Sequence, residues 1–144
     1  MIVALEKFIK ADIRKRLEDH HGAAWFKTGV PRKIQIESGK LAVEKNAERD
    51  AEHELEPWDC LYIVDFRSIM TQTNELWKLL FEKRYTPPGD ENRPGGWKGR
   101  SDWIQRLNDL RNDVHHSRPI TVEGHDFLVT ITTWLVKGQA DNDL

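Results

Sequence analysis

The sequence predicts an all-α protein, a compact bundle of four or five helices, and three observations carry that expectation. Apolar residues recur at spacings of three and four along most of the chain, as on the buried stripes of amphipathic helices. The long polar stretch between Glu37 and Glu56 is rich in Glu, Lys and Ala, good helix formers, and shows no period-2 alternation. Gly22, Pro31, Pro57, the Pro- and Gly-rich run from Thr86 to Gly99, and Pro119 fall between the periodic segments, where helices would stop. At 144 residues the chain suits one domain with a single core, over residues 1–137, followed by a polar tail, 138–144.

The elements follow in order. Ile2, Leu5, Ile9, Ile13 and Leu17 trace the stripe of a first helix, and Gly22 stops it. "GAAWFKTGVPRK" reads as a turn, in which Pro31 restricts the residue before it while Trp25 and Phe26 fold back on the core. A solvent-facing helix then occupies the polar stretch up to Glu56, and Pro57 breaks it. "CLYIV" by itself resembles a short buried strand. The longer window, with Tyr62, Phe66, Ile69, Thr73, Leu76 and Leu80 at helical spacing, favours a helix restarted at Asp65 as N-cap.

"TPPGDENRPGGWKG" holds three of the six prolines and four of the nine glycines, so a long loop precedes the next helix. It contains neither GxxxxGK[ST] nor GxGxxG, which removes a phosphate-cradling reading. Ser101 is the expected N-cap of the following helix, with Trp103, Leu107, Leu110 and Val114 as its stripe and Arg118-Pro119 as its end. A last helix begins at Thr121, carries Glu123 and Asp126 in its first turns, and buries Phe127, Leu128, Ile131, Trp134 and Leu135.

Composition narrows the function classes. With 22 basic and 24 acidic residues the net charge is -2, so there is no global basic field, and any site for a polyanion must be local. The single cysteine, Cys60, excludes an internal disulfide framework and reads as a buried thiol. No apolar run approaches the roughly 20 residues of a membrane span, and "MIVALEKFIKADIRKR" has charges too early for a signal peptide. A soluble, cytoplasmic protein is expected, its core built around six tryptophans.

The residues that packing does not require lie in "LNDLRNDVHHSRPI". Arg111 sits at the edge of the apolar stripe, His115 follows it four residues on, and His116 lies about 140° around an ideal helix from Arg111. Both histidines fall in the last turn, where the helix dipole favours the imidazolium, so an imidazole there is placed to exchange a proton near neutral pH. Asp109 and Asp113 flank Arg111 and oppose phosphate binding unless they face away or engage partners of their own. Arg111 could itself pair with Asp109 or with an acid on another helix, leaving the histidines to stabilise the helix end. A zinc site from His115, His116 and His125 would have neither a cysteine partner nor an HExxH pattern. His20, His21, His53 and His125 read as surface residues.

"RNDVHH", Arg111 to His116, resembles the Arg-x(4–6)-His signature of HEPN domains, all-α modules of prokaryotic toxins, defence proteins and RNA-surveillance nucleases. Asn112 is the common family choice after the arginine. "WIQRLNDLRNDVHHSRPIT" is similar to the family's motif helix and its Pro-containing turn, and "LYIVDFRSIMTQTNELWKLLF" to the long helix before it, in the branch associated with a yeast RNA-surveillance endonuclease and bacterial defence proteins.

The resemblance implies a metal-independent endoribonuclease without cofactor, in which two chains form a homodimer and bring two motifs into one cleft. Arg111 and His116 would then be catalytic, with Asn112 and His115 in support. The histidine would move the proton of the RNA 2′-hydroxyl as it attacks the adjacent phosphodiester, while the arginine stabilises charge on the phosphate oxygens. A toxin-antitoxin, antiviral-defence or RNA-processing role would follow, with an antitoxin or a larger defence protein as a further partner. The competing expectation is a non-catalytic HEPN module that serves interaction or dimerisation in a larger assembly.

Overall fold

The computed structural model describes residues 1–138, and those residues are all-helical, with no strand among them. The rest of the expected polar tail, 139–144, lies outside the described residues. No helix among the described residues is long and apolar enough to cross a membrane. The first helix, α1 (Ile2–His21), buries Ile2, Leu5, Ile9, Ile13 and Leu17, the stripe that the spacing predicts, and ends on Gly22 at a positive φ of 71°. The short α2 (Trp25–Gly29) packs back on it, so closely that a side chain at Gly29 would collide with the ring of His21. Trp25 and Phe26 rest, partly buried, against the core.

The third helix, α3 (Arg32–Asn46), starts directly after Pro31 and stops about ten residues before Glu56. Asn46 ends it. Its side-chain oxygen accepts the backbone N–H of Leu55 at 2.7 Å and its amide donates to the Leu55 carbonyl at 2.9 Å, folding residues 47–55 back as a loop. A 3-10 turn at Pro57–Cys60 packs against α3 and buries Trp58 and Cys60.

The following segment is more broken than its sequence spacing predicts. Helix α4 (Ile63–Met70) begins two residues before Asp65, which serves as its third residue, with its carboxylate accepting the Tyr62 N–H at 2.8 Å. Burial raises the pKa of that carboxyl, and nearby Glu37 adds to the rise, against the lowering by the Tyr62 N–H. The helix stops at Thr71. A new start is capped by Thr73, whose hydroxyl accepts the Leu76 N–H, and runs through α5 (Asn74–Leu76), a π turn over Trp77–Phe81 and α6 (Glu82–Tyr85). The break and the wider π turn rotate the register, so Trp77, Phe81 and Tyr85 are buried while Thr73 is exposed and Leu76 and Leu80 only half-buried; Tyr62 is exposed because it precedes α4 as its N-cap.

Helix α7 (Trp97–His115) begins four residues before Ser101. Ser101 is therefore not its cap but a buried interior residue, its hydroxyl donating to the Trp97 carbonyl and accepting from Arg67 Nε of α4 at 3.0 Å. The buried stripe of α7 includes Ile104 with Trp103, Leu107 and Leu110, and it runs out before Val114, which is exposed. Helix α8 (Val122–Thr132), capped by Thr121 and continued by a π turn at Thr133–Lys137, buries Leu128, Ile131 and Leu135.

Tyr85 joins three of these elements. Fully buried, it stacks on Trp103 with ring planes 5° apart, and its hydroxyl donates to the Asp12 carboxylate, which also accepts Arg16 Nε at 2.9 Å. Burial pushes the phenol well above its ordinary value of 10.0, and the Asp12 charge adds to the effect. A folded pKa above the unfolded one gives stability that is complete below about pH 10 and lost as pH rises further. Wild type should therefore lose stability relative to Tyr85→Phe as pH rises above about 10. Near pH 8 the substitution should cost about 1–3 kcal/mol, because it removes one donor from a carboxylate only 9% exposed. Urea unfolding of both proteins across that pH range is the measurement.

Candidate functional site

The end of α7 is fixed by its backbone. Arg118 N–H donates to the Asp113 carbonyl at 2.8 Å and Ser117 N–H to the Val114 carbonyl at 3.1 Å, the pair of bonds that makes a Schellman stop. Ser117 holds the left-handed position, φ 56°, that glycine usually fills, at a cost of about 1 kcal/mol. The helix thus ends at His115, with His116 as its C-cap, before Arg118-Pro119 is reached.

Arg111 and His115 project from one face of this last turn into a cleft of about 400 Å³ between α7, α1 and the Asp59–Ile63 segment. Asn108 and Asn112 share the α7 wall; Glu6, Lys10 and Lys45 face it, and Tyr62 stands at its side. His116 is not among the lining residues; exposed at the helix end, its ring meets that of His115 edge to face at 5.3 Å. Within one chain, therefore, the cleft brings together Arg111, Asn112 and His115, and leaves His116 outside.

Arg111 pairs with an acid on another helix. Its Nε donates to Glu6 Oε2 at 3.0 Å, and the side chain remains 33% exposed, short of full burial. The terminal nitrogens make no further hydrogen bond to a described residue, so Glu6 holds the guanidinium by one edge and leaves the other for an oxyanion. Lys10 is anchored likewise by one bond, Nζ to the Asp59 carbonyl at 3.3 Å. The acids beside Arg111 are engaged elsewhere: Asp109 accepts from Gln105 at 3.1 Å and Asp113 pairs with Arg118 at 3.4 Å, and neither lines the cleft. Among the described residues three cations face two carboxylates in the cleft, a local positive excess in a chain of net charge -2.

Glu6, Lys10 and Lys45 carry no signal in the sequence. Glu6 stands 105 residues from Arg111, and only the packing of α1 brings it there. Of the remaining histidines, His20 and His21 meet edge to face at 4.7 Å, and among the described residues no group of three or more His, Cys, Asp or Glu side chains is gathered as a metal would need. His21, read as a surface residue, is instead half-buried with an unpartnered Nε2, and burial lowers its pKa. No family model, curated protein or solved structure matches this chain.

Proposed function

We propose that the protein is a metal-independent endoribonuclease of HEPN type, cleaving RNA by attack of a 2′-hydroxyl on the adjacent phosphodiester. The observation that carries this reading is the cleft in which Arg111 and His115, one turn apart, face Lys10 and Lys45. In it the free edge of Arg111 binds the scissile phosphate and offsets the charge that builds on its oxygens. A histidine accepts the 2′-hydroxyl proton as the oxygen attacks phosphorus, and the 5′-oxygen leaves with a proton from a second group or water. His115 is the histidine placed for this within the chain's own cleft. His116, which the motif spacing favours, is the alternative, and would act in its place only if the catalytic pair were formed between the two chains. Asn112 orients the phosphate.

The active form is a homodimer joined at the α7–α8 corner, where Val114, Ile120 and Val122 are exposed together with Val129 of α8. A twofold axis there would set two sparse motifs side by side. The same apolar corner favours the second reading, a non-catalytic module that docks on a larger assembly, an antitoxin or a defence protein.

Cleavage of single-stranded RNA on a denaturing gel tests the choice. Cleavage is expected to survive EDTA, to leave 2′,3′-cyclic phosphate ends, and to fail on the DNA counterpart, which has no 2′-hydroxyl. Sedimentation should return a dimer at micromolar concentration. A dimer that cleaves no RNA under varied conditions leaves the docking module as the function.

A further inference from the structure

Tyr62 is 60% exposed although it lines the cleft, and its ring meets no other ring among the described residues. Its backbone is firmly mounted: the Tyr62 N–H is held by Asp65 at 2.8 Å and the Tyr62 carbonyl accepts the Asp65 N–H at 3.0 Å, while Leu61 and Ile63 on either side are buried. A large, flat, solvent-facing side chain on a fixed perch has little conformational freedom to lose on binding. Lys10 and Lys45 line the same cleft, and Arg111 stands on its α7 wall.

Resting on the endoribonuclease reading, the geometry points to Tyr62 as a nucleobase platform: the base of an unpaired nucleotide stacks on its ring while the flanking phosphates lie between Lys10, Lys45 and Arg111. The cleft volume of about 400 Å³ lies at the small-ligand end of binding sites, enough for one nucleotide and not for a duplex. Base-on-aromatic stacking with cationic phosphate contacts is how single strands are held where no base edge is read. Tyr62 then determines that the substrate is unpaired at the cleavage point, and its role is in binding and not in the chemical step.

The test uses 2′-O-methyl single-stranded oligonucleotides, which cannot be cleaved by 2′-attack, with 2-aminopurine moved along the sequence. Wild type is expected to bind, seen by anisotropy, and to quench 2-aminopurine at one position; the same strand in a duplex should bind at least several-fold more weakly. Tyr62→Ala should weaken binding roughly ten-fold or more and abolish the quench, whereas Tyr62→Phe and Tyr62→Trp should restore both. In cleavage assays Tyr62→Ala should raise KM with little change in kcat. Unchanged binding in Tyr62→Ala at an unchanged melting temperature, or no binding of the oligonucleotide by wild type, overturns the platform. Stacking retained in a protein that never cleaves would support the platform and end the nuclease reading alone.

Discussion

Arg111→Ala is expected to lower RNA cleavage by roughly two to four orders of magnitude, the range for removing a donor that stabilises charge in a transition state. The loss should fall on kcat, because Lys10 and Lys45 still hold the flanking phosphates. Arg111→Lys should recover only part of it, since an ammonium supplies the charge but not the fork that lets Glu6 take one edge and phosphate the other. The substitution also leaves Glu6, 18% exposed, without its partner, so a stability loss of about 1 kcal/mol is expected and the melting temperature must be read alongside. Glu6→Gln separates the two effects. It keeps an acceptor for Arg111 Nε but not the charge, so it should fold normally and lose less activity than Arg111→Ala. An Arg111→Ala protein that folds and cleaves like wild type removes the arginine from the chemistry and the nuclease reading with it.

The sequence carried the fold unevenly, for physical reasons. The stripe of α1 was legible because its burial follows one uninterrupted 3.6-residue period, and all five predicted positions are buried. The same reasoning held for Phe66 and Ile69 of α4, both buried, but failed beyond Thr71, where the Thr71–Thr73 break and the π turn insert offsets that no constant period describes. Ser101 looked like a cap because serine is a common one; its burial under Arg67 depends on a contact 34 residues away. The site divides in the same way. Arg111, Asn112 and His115 were legible as neighbours on one helix, whereas Glu6, Lys10 and Lys45 belong to helices whose docking on α7 is set by the core.

The choice between the adjacent histidines turns on how α7 ends. If the helix continued to Arg118, His115 and His116 would both lie within its last turn, and sequence spacing alone would rank them. The Schellman stop instead makes His115 the last helical residue, one turn from Arg111 on the cleft wall, and His116 an exposed cap outside it. His115→Ala should therefore cost roughly two to four orders of magnitude in cleavage, comparable to Arg111→Ala, whereas His116→Ala should cost less than about ten-fold. Both histidines are exposed, so neither change should move stability by more than about 0.5 kcal/mol. Mixing Arg111→Ala chains with His115→Ala chains should restore nothing, because the two residues serve one chain's cleft and every cleft in the mixture lacks one of them. The opposite pattern is equally readable. If His116→Ala is the inactive variant, and mixing it with Arg111→Ala recovers about a quarter of wild-type activity, as random pairing of two half-defective chains around a twofold axis would give, the catalytic pair is formed between chains and the assignment of His115 falls.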